Sequence, residues 1–214
     1  DEICKKYGAD TLRLYEMFLG PIDQSKPWNT SGITGVFSFL NKFWNLFHTD
    51  GKFHVDDEKP NDQVLKAYHK VVKKVNSDIE NFSFNTSVSA FMICINELSS
   101  LGCKSQYVLS NLCILLSPFA PHICEELWSL LGNKNSISYE KFPTHDEKYL
   151  IESTFKYPVS FNGKLRFIIN LSTSLKQNEV EDIIKNHEST EKYLNGKSIK
   201  KIIFVPKKII NIVC

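Results

Sequence analysis

Arginine is almost missing: of the 26 basic residues only Arg13 and Arg166 are arginines. Planar, bidentate recognition of base edges has little to work with, and lysine point charges make up the positive surface. The nine glycines are scattered and none builds a phosphate-cradling loop. The six cysteines (Cys4, Cys94, Cys103, Cys113, Cys124, Cys214) form no CxxC pair. The six histidines show neither HExxH nor another ligand spacing. A structural zinc is therefore not expected. Cys94, Cys113 and Cys124 sit in apolar helical runs and read as free thiols of a reducing cytoplasm. No apolar run approaches the length of a membrane span. The opening Asp-Glu-Ile-Cys-Lys-Lys has neither the charged n-region nor the apolar h-region of a signal peptide, and reads as an internal or processed start. A cytoplasmic location and no membrane partner are the expectations.

What is present is enough for a sizeable core: 214 residues, 42% of them hydrophobic. The net charge of +2 hides an asymmetry. Residues 157–214 carry nine Lys and one Arg against five acidic side chains, whereas residues 1–156 carry 16 basic and 19 acidic. A small basic module on a mildly acidic body suits nucleic-acid contact; a Lys-rich solvated surface is the simpler alternative.

Periodicity separates the same two regions. Asp10 stands where its carboxylate can accept amide hydrogens at a helix start, and Leu12, Tyr15, Phe18 and Leu19 follow at helical spacing. Thr30 or Ser31 caps a second helix carrying Ile33, Val36, Leu40, Phe43, Trp44 and Phe47. Residues 49–61 read as a loop. Asp62 caps a third helix with Val64, Leu65, Tyr68, Val71, Val72, Val75 and Ile79. Asn85 caps a fourth that Gly102 stops; Tyr107–Leu116 gives a fifth, and Pro121 opens a sixth. Five to six amphipathic helices with short connections predict an antiparallel bundle, so the fold class is mainly α. After a charged, turn-rich linker at 143–156 the period changes. Asn162-Gly163 signals a hairpin, residues 178–194 are helical, and Ile199–Val205 and Ile209–Val213 read as strands around Pro206-Lys207-Lys208. A small α+β C-terminal domain over 157–214 is expected.

No catalytic constellation emerges. His122 and Glu126, four apart, are the one pair with metal-ligand chemistry. The simpler reading has His122 satisfying backbone groups at a helix entrance and Glu125 and Glu126 favouring the positive end of its dipole. Trp44 and Phe47 are a base-stacking platform or, as is usual for aromatics at helical spacing, core. Trp28, in a loop, is a contact residue or an anchor for that loop. The candidate RNA-binding residues lie mainly in the C-terminal module. Lys164 and Arg166, two apart on one strand, project from one face. Lys197, Lys200 and Lys201 flank the next strand, and Lys207 and Lys208 sit in the closing turn. Arg13 is a further candidate, with an ion pair to Glu16 as its structural alternative.

The string Tyr7-Gly8-Ala9-Asp10-Thr11-Leu12-Arg13-Leu14-Tyr15 resembles the segment after the KMSKS loop in class I aminoacyl-tRNA synthetases. Its continuation, Gly20-Pro21-Ile22-Asp23-Gln24-Ser25-Lys26-Pro27-Trp28, looks like the bacterial leucyl-tRNA synthetase family. The string from Leu116 to Trp128 recurs in the helical anticodon-binding domains of leucyl-, valyl- and isoleucyl-type enzymes, as a packing motif. Residues 157–213 are similar to the C-terminal domain of bacterial leucyl-tRNA synthetases, which contacts the outer corner of tRNA. One departure is Lys207, where that family's Val-Pro-Gly-Lys turn has glycine; a positive φ there would strain lysine. The resemblance implies that residues 1–30 end a stem-contact region, 31–142 form an anticodon-binding-type bundle and 157–214 a tRNA-binding domain. It implies as partners tRNA(Leu) and the catalytic and editing domains of a parent enzyme, with no role for DNA. It also implies ATP and Mg²⁺ as cofactors of that parent and none in this chain, which lacks the HIGH and KMSKS motifs. Two rivals stay open: a valyl- or isoleucyl-type enzyme, and a helical protein-interaction module without RNA binding.

Overall fold

A computed structural model describes the chain apart from residues 151–153, 195 and 197. Two compact units result, Asp1–Leu150 and Ile151–Cys214.

The first unit is a helical bundle. The first predicted helix is α2 (Ala9–Phe18); a short helix not expected from sequence, α1 (Glu2–Tyr7), precedes it across Gly8 (φ 86°), and Thr11 Oγ1 donates back across the break to the Tyr7 carbonyl at 2.7 Å. The buried face of α2 is Thr11, Leu14 and Tyr15, not the Leu12/Phe18 stripe expected; Phe18 stays exposed. Asp10 does not cap its own helix. It is buried, and its carboxylate accepts the backbone N–H groups of His122 (3.3 Å) and Ile123 (2.8 Å) and Nδ1–H of His122 (2.7 Å). It thus caps α7 (Pro121–Leu130), which begins on Pro121 and has only Ala120 at its own cap position.

Next come α3 (Ile33–Leu46), entered through a 3₁₀ turn at Thr30–Gly32, and α4 (Asp62–Glu80). The α4 cap is Asn61, one residue before the expected Asp62: its side chain accepts from Val64 N–H at 2.9 Å. The loop expected at 49–61 contains a miniature hairpin, β1 (His48–Thr49) and β2 (Lys52–Phe53), turned by Asp50 (φ 51°) and Gly51 (φ 75°). The bundle continues with α5 (Phe84–Ser100) and α6 (Gln106–Leu116). Ser83, not Asn85, takes the α5 cap position; Asp78 on α4 receives Thr86 Oγ1–H (2.7 Å) and Ser87 Oγ–H (3.4 Å) near the start of α5. Lys104 reaches the C-terminal end of α3. Its ammonium donates to the carbonyls of Leu46 (2.8 Å), the last residue of α3, and His48 (2.7 Å), and burial pulls its pKa down.

One core runs through α2 to α7, from Leu14 and Tyr15 through Phe43, Phe47, Phe91 and Phe119 to Trp128 and Ile137, with Ile3 and Tyr7 of α1 packed against it. Cys94, Cys103, Cys113 and Cys124 lie in it, and burial pushes all four thiols up, away from the reactive thiolate.

Residues 143–150, the first half of the expected linker, are fastened to α4. Asn76 donates to the Pro143 carbonyl at 3.1 Å, the Asp146 N–H donates to His69 Nδ1 at 3.2 Å, and Lys73 pairs with Glu147. The His69 and Tyr149 rings stack 4.7 Å apart at 2°. Accepting that bond requires a neutral imidazole, and burial holds the His69 pKa below its ordinary value.

The second unit is one four-stranded sheet and two helices: β3 (Thr154–Phe161), β4 (Lys164–Ser172), α8 (Gln177–Lys185), α9 (Glu188–Leu194), β5 (Lys201–Val205) and β6 (Ile209–Val213). The single helix expected at 178–194 breaks at Asn186 and His187. Strand order is β4-β3-β6-β5, antiparallel except for the parallel β3–β6 pair. Asn162 (φ 47°) and Gly163 (φ 82°) make the expected hairpin turn. Tyr157, Val159, Ile202, Ile210 and Ile212 pack with Val180 and Ile184 of α8 in a separate, smaller core.

Candidate nucleic-acid interface

Pairing register decides where the basic side chains of the second unit go. Lys201 opposes Val213, and the Lys200 N–H donates to the Val213 carbonyl at 2.8 Å. The β3–β4 turn reaches the same end of the sheet. Asn162 N–H donates to the Ile212 carbonyl at 2.9 Å, and Gly163 N–H to Asn211 Oδ1 at 3.0 Å. Lys164, Lys200 and Lys201 therefore share one end of the sheet. Lys207 and Lys208 sit at the opposite end of β5–β6, beyond a five-residue strand, or about 16 Å away. The single cluster expected is thus two groups. Lys197 lies outside the described residues.

Arg166 departs from simple strand alternation. The register jumps from Val159↔Phe167 to Ser160↔Leu165, which makes Arg166 the extra residue of a β-bulge. Leu165 faces outward opposite Ser160, Lys164 opposes the core residue Phe161, and the Arg166 guanidinium lies 5.4 Å from the Tyr193 ring centroid on α9. A sequence has no local mark for such a bulge, so Arg166 reads as freely projecting when it is in fact stacked.

The Pro206–Lys208 turn keeps the backbone that glycine would favour. Lys207 has φ 52°, and its N–H donates to the Tyr157 hydroxyl at 3.0 Å. The strain is held by that bond and leaves the ammonium exposed.

Charge is sorted by layer. Segments 154–175 and 198–214, which make the sheet and its turns, hold seven basic side chains and no acidic one; residues 176–194, which make α8 and α9, hold three basic and five acidic. Lys164, Lys200, Lys201, Lys207 and Lys208 have no carboxylate partner among the described residues. Between the two lysine groups the outer face is apolar and open: Ile168 is 63% exposed, Ile203 40% and Val205 38%. Sequence reading missed this face, although the alternation of Ile203 and Val205 with buried Ile202 is its signal.

In the bundle, Arg13 Nη2 donates to the Pro118 carbonyl at 3.0 Å, and no Arg13–Glu16 ion pair forms among the described residues. Arg13 opens into a cleft of about 440 Å³ shared with Gln24 and Lys26, two polar residues not singled out from sequence. Trp28 meets Tyr15 edge-on at 5.4 Å and stays half exposed. Phe47 is fully buried, and Trp44 stacks on His48 at 4.5 Å. His122 is committed to Asp10, and Glu125 accepts from Ser136 Oγ and Ile137 N–H rather than serving the α7 dipole. Among the described residues no group of three His, Cys, Asp or Glu side chains is placed to hold a metal ion. No helix among them is long and apolar enough to cross a membrane.

Residues 61–183 match the family described as the anticodon-binding domain of tRNA ligase. The chain belongs to that family. Within it, the leucine–tRNA ligase of Christiangramia forsetii is 56% identical over 213 residues, covering 100% of this chain and 22% of that protein. The leucine–tRNA ligase of Flavobacterium psychrophilum is 58% identical over the same length, again 22% of that protein. In the crystal structure of the ternary complex of Agrobacterium radiobacter K84 agnB2 LeuRS with tRNA and LeuAMS, the matching chain shares 27% identity at a TM-score of 0.74. That match covers 99% of this chain and 30% of that one. The anticodon-binding-domain chain described here thus spans less than a quarter of the length of the curated relatives it matches.

Proposed function

We propose that this chain is the tRNA-holding portion of a leucine–tRNA ligase. The observation that carries the reading is the charge sorting of the C-terminal unit: lysines without carboxylate partners at both ends of a sheet that bears no acid. A duplex or corner of RNA laid on that face would meet phosphate contacts at both ends and apolar side chains between. Lysines suit this task, because phosphates need point charges and base edges need planar forks. Gripping the tRNA body pre-aligns its acceptor end for a distant active site and lowers the entropic cost of docking.

In this reading the parent enzyme joins leucine to tRNA(Leu) with ATP and Mg²⁺ in the cytoplasm, and its catalytic and editing domains are the protein partners. Those cofactors act, in this reading, in the catalytic part of the parent enzyme, and no chemical step is assigned to this chain. Fluorescence anisotropy with tRNA(Leu) and with a short-variable-arm tRNA, at low and near-physiological salt, tests the proposal. Saturable, salt-sensitive binding supports it; absence of binding at low salt rejects it. Leucine-dependent ATP–pyrophosphate exchange by the chain alone would contradict the division of labour.

A further inference from the structure

We propose that a recess between α1, α3 and the start of α7 receives one unpaired nucleobase of the bound RNA. The proposal rests on the RNA-binding reading above and concerns a place remote in sequence from the basic sheet. The recess holds about 520 Å³, and Tyr7, Phe37, Leu40, Asn41, Trp44 and His122 line it. Three of those six carry large aromatic rings: Phe37 is exposed, and Tyr7 and Trp44 are half-buried against the edge of the core. Phe37 is 38% exposed on a helix whose neighbours Val36, Phe39 and Leu40 are buried, and Tyr7 meets it edge-on at 5.7 Å. The exposed aromatic face of Phe37 offers a base the stacking surface that single-stranded RNA sites use, which any base can fill.

Two polar groups converge on this apolar space. Asn41 is exposed and makes no hydrogen bond to any described residue, so both its amide donor and its acceptor are available. His122 is held by Asp10: a carboxylate only accepts, so the proton on the bonded nitrogen is Nδ1–H, and in the neutral ring Nε2 is left as an acceptor. That atom is free to take a hydrogen bond from an exocyclic amine or a ribose hydroxyl. The Asp10 carboxylate, which also lines the recess, is already engaged by three donors. At the rim, Lys6 Nζ stands 5.1 Å from the Tyr7 ring centroid, a cation placed for the adjoining phosphate. An apolar protein side chain would fill the walls and leave Asn41 and His122 unanswered. A base answers both.

The test uses the whole chain with the single-stranded hexanucleotides rA6, rC6 and rU6. Binding is read by anisotropy, and contact by ultraviolet crosslinking with mapping of the adducts. Saturable binding with adducts on Tyr7, Phe37 or Trp44 is expected. Asn41→Ala, which removes an exposed side chain without a partner, should weaken binding about fivefold and leave the thermal midpoint unchanged. His122→Ala should weaken it by a similar factor. If tRNA(Leu) binds but the hexanucleotides do not, or if both variants bind them like the wild type, the recess is not a base site and the tRNA reading survives. If neither tRNA nor hexanucleotide binds, the tRNA reading itself fails.

Discussion

The bundle and the C-terminal unit use charge in opposite ways. In the bundle, Asp10 and Asp78 are buried and Lys104 half-buried, each answering backbone or hydroxyl groups at a helix end. In the C-terminal unit no charged side chain is buried among the described residues, and the lysines of the sheet stand in solvent. Inward charges of the first kind hold helices in register; outward charges of the second kind are the ones the proposed function gives to RNA. The difference shows why a Lys count alone locates no interface. What matters is whether a carboxylate or carbonyl has already claimed the ammonium.

Mutations sharpen that contrast in descending size. Phe91→Ala in the bundle core should cost about 3–5 kcal/mol in calorimetry of the whole chain. Asp10→Ala strips α7 of its cap and leaves two amides without their acceptor, a loss of about 2–3 kcal/mol. A variant as stable as the wild type would show that water replaces the carboxylate. Joint reversal of Lys200, Lys201, Lys207 and Lys208 to Glu should leave the thermal midpoint within about 0.5 kcal/mol of its starting stability, as surface changes do. It should instead flatten log K for tRNA against log salt by about three units. Lys207→Gly relieves a positive φ and should stabilise the C-terminal unit by about 0.5 kcal/mol while removing a single phosphate contact.

Acidity separates the units too. His69 has a pKa lowered by burial, so the unfolded chain binds its proton first as pH falls. The bundle's stability is complete above about pH 6.5 and declines below it as the bond from Asp146 is lost. Thermal midpoints of the wild type and His69→Gln between pH 5 and 8 check the sign: the wild type should fall more steeply toward acid.

Much of this architecture is legible in the sequence because apolar spacing is local. Val64, Tyr68, Val71 and Val75 declare α4, and Asn162-Gly163 declares the hairpin. What escapes is non-local. The acceptor at α7 is Asp10, more than a hundred positions away, so Asp10 reads as a cap for its own helix. The fastening of residues 143–150 depends on His69 and Asn76 of α4, and nothing within that charged stretch marks it as docked. Of the candidate interface, the lysines are readable one by one and the β5–β6 hairpin separates Lys200 and Lys201 from Lys207 and Lys208, but the end that Lys164 shares follows from the parallel β3–β6 pairing, which no local pattern encodes. Lys207 is the instructive exception, since the positive φ expected from the turn is present with lysine in place.

The central claim is that the sheet, not the helical layer, meets RNA. Salt-dependent tRNA(Leu) titrations of two charge-reversed variants address it most directly: Lys200, Lys201, Lys207 and Lys208 to Glu on the sheet, and Lys176, Lys185 and Lys192 to Glu on the helices. The account predicts a shallower slope and weakened binding for the sheet variant, with the helix variant close to wild type. Equal losses in both, or a larger loss in the helix variant, would contradict it.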